Sequence, residues 1–216
     1  MNDTVIVVQG PSNNVNEIKN SLIGTNVIFS TWDYEKSKYT KADNVVFSVL
    51  ENKPYTSLQL QQTTTYAGLL AAKQQGYKYV LKLRSDIIPN NINYFLSLLK
   101  RNSLNFLCWA EHEVYQNCPG YLVDYVMSGP INDMINLWAI DEYWSSVAEI
   151  CLTWRYIKML KHKININFFL QDLDEKNDIF WIKNNFWLSK YKKEYNFYKT
   201  YNLEVLKNKL NNQYKQ

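Results

Sequence analysis

Two histidines and three cysteines in 216 residues leave little material for several common chemistries. His112 and His162 lie far apart with no carboxylate-rich motif between them, which argues against a histidine triad or a zinc hydrolase. Cys108, Cys118 and Cys151 lack the paired spacing and nearby histidines of a structural zinc site, and a reducing compartment suits them. Cys108 and Cys151 stand in apolar surroundings and read as core residues. No stretch approaches the roughly 18 uninterrupted apolar residues of a membrane span. The opening "MNDTVIVVQGP" is too short and too acidic for a secretory leader. A cytoplasmic protein is therefore expected. Also missing are a G-x-G-x-x-G after the first apolar run, a Walker lysine and a G-x-S-x-G, which removes a dinucleotide fingerprint, a P-loop and a serine-hydrolase elbow.

Aromatic residues, by contrast, are plentiful at 15%, with 17 tyrosines. Surplus tyrosine and tryptophan suit a surface that stacks on sugars, although an AT-rich coding sequence would raise Tyr, Asn, Lys and Ile together. The net charge of +4 is unevenly placed: residues 181–216 carry eight lysines and two glutamates, a balance of 8 − 2 = +6. The remainder is slightly acidic. Lysines interleaved with aromatics there fit an amphipathic helix packed on the domain or a peripheral contact with an anionic membrane, and no nucleic-acid partner is expected. Two segments follow: one domain over residues 1–180 and a basic, aromatic helical tail over 181–216.

Short apolar runs alternate with longer helical patterns. Strands are expected over residues 4–10, 26–31 and 44–50, with helices near 13–23 and 58–75 and a further strand from residue 79. Such alternation predicts an α/β domain with a mainly parallel sheet flanked by helices. After residue 100 the pattern loosens to strands at 104–110 and up to Gly129, a helix near 130–138 and another near 145–161.

The strand "YVLKLRSDIIP" (79–89) places Val80, Lys82, Arg84 and Asp86 on one face, about 7 Å apart along the chain. In an open parallel sheet the ligand crevice lies beyond the carboxyl ends of the strands, where Arg84 and Asp86 should emerge. Two cations beside one carboxylate match a diphosphate, with Asp86 holding a bridging Mn2+ or Mg2+. The competing reading is an internal ion-pair cluster with acids on a neighbouring strand. Gln9, Gly10 and Pro11 end the first strand in a turn able to approach a base or ribose, and Ser30, Thr31 and Asp33 end the second. On the helix before the charged strand, Gln61, Thr64, Thr65 and Gly68 form one stripe, either ligand-facing or solvated, opposite a stripe with Leu70 and Ala71.

The segments "VVQGP", "VIFSTWDYE" and "QLQQTTTYAGLLAAKQQGYKYVLKLRSD", over roughly residues 4–90, resemble WavE-type lipopolysaccharide-synthesis proteins, which are similar to glycosyltransferases of the GT-A fold. Weaker likeness continues in "VDYVMSGPINDMINLW" (123–138) and "AEICL" (148–152). The family order of a Gln, a hydroxyl pair, a Gly-Leu and a K-x-R-S-D strand end falls on Gln61, Thr64 and Thr65, Gly68 and Leu69, and Lys82 to Asp86. The resemblance implies a GT-A-like, Rossmann-related sheet and a nucleotide-sugar site at Gln9, Gly10, Pro11, Ser30, Thr31, Gln61, Thr65, Lys82, Arg84 and Ser85. Two departures stand out. Gln59 and Leu60 replace the usual Asn-Arg, removing one phosphate contact, and "RSD" supplies only Asp86 where many GT-A enzymes carry two metal acids.

Glycosyl transfer also needs a carboxylate to take the acceptor's proton. Glu149, in "AEICL", is the first choice and Asp124, in a strand, the second, although an acid early in a helix also suits the helix dipole. The segment 112–125 with Trp138 and Trp144 offers an aromatic platform for an acceptor sugar, or simply core. The expected activity is transfer of a sugar from a nucleotide-diphosphate donor, a UDP-sugar first among them, to a glycan or lipid-linked glycan acceptor in surface polysaccharide synthesis. The alternatives are a non-catalytic sugar-nucleotide-binding domain and a nucleotidyltransferase, although the latter usually carries a basic glycine-rich loop that "QGPSNNVNE" lacks.

Overall fold

A computed structural model describes residues 3–11, 15–40, 42–51, 55–89, 92–108, 122–141, 148, 149, 151, 152, 155, 159, 166–170 and 180–182. Seven strands form one sheet in the order β3-β2-β1-β4-β7-β6-β8. These are β1 (Thr4–Gln9), β2 (Val27–Trp32), β3 (Val45–Ser48), β4 (Tyr79–Arg84), β6 (Leu104–Cys108), β7 (Leu122–Pro130) and β8 (Ile166–Leu170). Pairings are parallel throughout β3-β2-β1-β4 and between β6 and β8, while β7 runs antiparallel to both β4 and β6. The sheet is thus α/β-like and mostly parallel, as the alternating pattern predicts.

Two hydrophobic layers sandwich the central strands. On one face Val5 and Val7 of β1 and Val80 of β4 meet helix α2 (Ser57–Gln74) and helix α4 (Ile131–Trp138). On the other, Ile6, Val8, Leu81 and Leu83 meet Val15 and Ile18 of helix α1 (Val15–Ser21). Because both faces of β1 are covered, its "VIVV" run is apolar at every position. Three short elements lie beyond the sequence pattern: a 3-10 helix over Asp33–Tyr39, β5 (Ile87–Pro89) and helix α3 (Ile92–Leu98).

The start of the expected helical tail differs from expectation. Trp181 and Ile182 belong to strand β9 (Phe180–Ile182), antiparallel to β5, so the backbone there is extended. Residues 183–216, with the rest of that tail, lie outside the described residues, as do His112, Cys118 and Trp144.

Helix α2 begins with a reciprocal cap. The Thr56 hydroxyl accepts from the Gln59 amide at 3.2 Å, and the Gln59 side chain accepts from the Thr56 amide at 2.9 Å. Its polar stripe turns towards the sheet, which corrects the solvated reading of it. Thr64, Thr65 and Gly68 are buried against the sheet, whereas Leu70, expected to pack there, is exposed. The reason is distance. A β-carbon on Gly68 would stand 2.5 Å from Val7 Cγ1 and 2.8 Å from Ser30 Cβ, so only glycine lets the helix lie this close. Alanine inside an ordinary helix gains about 1 kcal/mol over glycine; here overpacking outweighs that gain. Gly68→Ala is expected to lose about 1–2 kcal/mol in a urea melt.

Candidate functional site

Lys82, Arg84, Asp86, Asp124 and Glu149 come together from β4, the turn after it, β7 and the helical residues around 149. Register explains the first pairing: Gln9 of β1 lies beside Arg84 of β4, and Val7 beside Lys82. Val80 packs on one face of β4 and Leu81 and Leu83 on the other, as expected, but the strand ends at Arg84, so Asp86 lies in the turn after it and not on the face of a strand running to residue 89. On the other side, β7 carries a bulge. From Phe106 to Cys108 is a step of two residues on β6, but their partners Met127 and Leu122 are five apart on β7, leaving 5 − 2 = 3 extra residues. Asp124 lies in that bulged stretch, and it turns both its carbonyl and its carboxylate towards β4.

Lys82 is fully buried. Its ammonium donates to the Asp124 carbonyl and sits 5.0 Å from the centre of the Trp138 ring. Burial lowers its pKa to about 8, with the Asp124 charge working the other way. Below that pH it remains a cation inside the sheet-helix layer. The internal reading thus fits better than a phosphate contact, although Lys82 bonds the Asp124 carbonyl and it is Arg84 that makes the ion pair with Asp124. Trp138, also fully buried, is a lid on Lys82 rather than an acceptor platform.

Arg84 is the cation nearest solvent in this group, with 24% of its side chain exposed. Its Nε donates to Asp86 Oδ1 at 2.9 Å and its Nη2 to Asp86 Oδ2, while Nη1 donates to Asp124 at 3.3 and 3.5 Å. The guanidinium also lies 4.5 Å from the Tyr125 ring centre. Burial opposes its charge, but Asp124 and Asp86 more than offset that and raise its pKa. Tyr125, absent from the sequence-based site, is pushed up to about 12 by burial, with Arg84 opposing. Only its place next to Asp124 could have flagged it.

The two carboxylates on Arg84 differ sharply. Asp124 is 1% exposed and Asp86 42%. Glu149, half-buried, completes the group: burial and then the Asp124 charge push its pKa up to about 7, against Arg84 and Lys82. A carboxyl group titrating near neutrality can accept or donate a proton under working conditions.

The remaining predicted contacts divide. Gly10, at a φ of 103°, and Pro11 stand beside Ser85: the Ser85 hydroxyl donates to the Pro11 carbonyl at 2.7 Å and its amide to the Gln9 carbonyl at 2.9 Å. A β-carbon on Gly10 would come within 3.3 Å of the Ser85 oxygen. Gln9 is buried and donates to Thr64 at 3.0 Å; its Oε1, with Gln61 Oε1 and Thr65 Oγ1, has no partner among the described residues. Ser30 and Thr31 point inward instead. Ser30 donates to the Thr64 carbonyl at 2.5 Å and Thr31 to the buried Glu35 at 2.7 Å, so neither hydroxyl is turned to a crevice.

Asp86 is the metal ligand that the sequence leads one to expect, and the donor set fits a divalent cation poorly, because both its oxygens are bonded to one guanidinium. Among the described residues no three Asp, Glu, His or Cys side chains gather to hold a metal. A separate cavity of about 40 Å³ lies towards the other end of β4, lined by Tyr79, Val80 and Ser128, and does not reach Arg84.

No protein-family model matches this chain, and no curated protein does. Among the described residues no helix is long and apolar enough to cross a membrane.

Proposed function

We propose that the chain is a sugar-nucleotide glycosyltransferase of GT-A type, acting on a nucleoside-diphosphate sugar and a glycan or lipid-linked glycan acceptor in surface polysaccharide synthesis. The observation that carries this reading is Arg84 at the carboxyl end of β4, with Glu149 near enough for the Asp124 and Arg84 charges to act on it. Arg84 is a planar cation whose outer edge is held only by the partly exposed Asp86, and Glu149 is a carboxyl group that burial and the Asp124 charge push up to about 7. Crevices beyond the carboxyl ends of parallel strands are the usual ligand sites of such sheets. The resemblance of residues 4–90 to WavE-type proteins supports the same reading.

In the proposed reaction Arg84 binds the diphosphate oxygens bidentately. The bond between the anomeric carbon and the diphosphate oxygen breaks, its electron pair leaving with the diphosphate, where Arg84 meets the developing charge. The acceptor hydroxyl oxygen bonds to the anomeric carbon, and its proton passes to Glu149. Gly10, Pro11 and Ser85 form the backbone rim beside this position. Asp124 and Lys82 act on Arg84 from behind as positioning residues.

A second reading, a sugar-nucleotide binder without turnover, draws on the charge balance of Arg84 by two carboxylates. Titration calorimetry with UDP-, GDP-, CMP- and dTDP-sugars, with Mn2+ and with chelator, tests both. One donor is expected to bind below millimolar concentration and to lose its sugar in the presence of acceptor. Because Asp86 is already bonded to Arg84, chelator is expected to change the dissociation constant by only about twofold. Binding with no turnover favours the second reading; no binding at millimolar concentration contradicts both.

A further inference from the structure

We infer that Asp86 is a displaceable occupant of the anion site: its carboxylate takes the guanidinium edge of Arg84 that a diphosphate would use, so the two compete. The inference rests on the nucleotide reading above and adds a regulation to it. Asp86 meets Arg84 through Nε and Nη2 together, a fork-on-fork arrangement whose geometry suits a phosphate equally well.

The partner that yields is decided by burial. Asp124, 1% exposed and held through Nη1, would become an unpaired buried charge if Arg84 moved away. Asp86, at 42%, can be solvated as soon as it leaves, and exposed ion pairs contribute little. Its position eases that exchange, because Ser85 and Asp86 form a turn between β4 and β5, where rotation of one side chain frees the fork without moving a strand. Arg84 then stays anchored to Asp124 and Tyr125 by its other edge and by its face. Asp86 would thus set the anion affinity of the site, weakening it, instead of strengthening it as a metal ligand does.

Titration of UDP and of inorganic pyrophosphate into wild type, Asp86→Asn and Asp86→Ala, each with chelator and with Mn2+, separates these roles. Both variants should bind the anions roughly 3- to 10-fold more tightly than wild type in chelator, from loss of the competing pair and of its repulsion towards the incoming charge. Thermal melts of the variants should stay near wild type, since 42% of the Asp86 side chain is already in solvent and Arg84 keeps its bond to Asp124. Unchanged or weaker binding in chelator overturns the inference while leaving the nucleotide reading standing. Weaker binding confined to Mn2+ overturns it too and makes Asp86 a metal ligand. A wild type that binds neither anion overturns the nucleotide reading and this inference with it.

Discussion

Arg84→Ala is expected to weaken nucleoside-diphosphate binding on the order of 100-fold and to lower folding stability by about 3 kcal/mol. Both losses come from one side chain with two duties. Towards solvent it offers the fork proposed to hold the diphosphate. Towards the interior it is the ion-pair partner of Asp124, which is 1% exposed and would be left with only the nearby Lys82 charge to offset its burial. Arg84→Lys separates the duties, because a lysine keeps the charge beside Asp124 but cannot make the bidentate contact. Its urea midpoint should stay close to wild type while its affinity falls about 10-fold or more. Equal losses in both measurements would mean that Arg84 serves folding alone.

Glu149→Gln is expected to cut turnover by about 100- to 10,000-fold with little change in donor affinity. With a pKa of about 7 against an ordinary 4.5, Glu149 gives wild type a rate that rises with pH up to about 7 and then levels. The glutamine variant should lose that limb. Stability carries a second signature of opposite sign. The folded state holds the Glu149 proton more tightly than the unfolded chain does, so the unfolded chain binds fewer protons between about 4.5 and 7 and wild-type stability falls as pH rises across that window. Glu149→Gln removes this dependence, so the variant should gain on wild type as pH increases. A helix-dipole role for Glu149 would instead leave the rate profile unchanged.

Much of the fold is legible in residue order because its signals are local. The β-branched run of β1, the helical period over 58–75 and the alternation along β4 each act within a few residues. Alternation also places Lys82 and Arg84 on one side, while Asp86 is set by the turn that follows. It says nothing of depth. Lys82 lies inside because α4, starting some fifty residues later, closes Trp138 over it, and no local pattern encodes that contact. The stripe on α2 deceives for a related reason: glutamine and threonines read as a surface, yet Gly68 brings the helix so near the sheet that Thr64 and Thr65 become part of the interface. Asp124 and Glu149 enter the site through the β7 bulge and the charge coupling around it, features of tertiary packing. In the sequence only their residue type marks them.

A crystal structure with a bound nucleoside diphosphate tests the central claim most directly. The diphosphate oxygens should lie within hydrogen-bond distance of Arg84 Nε and Nη2, beyond the ends of β1 and β4, with Asp86 turned to solvent and Asp124 still on Nη1. A diphosphate bound elsewhere, with Arg84 still bridging Asp86 and Asp124, would contradict the account.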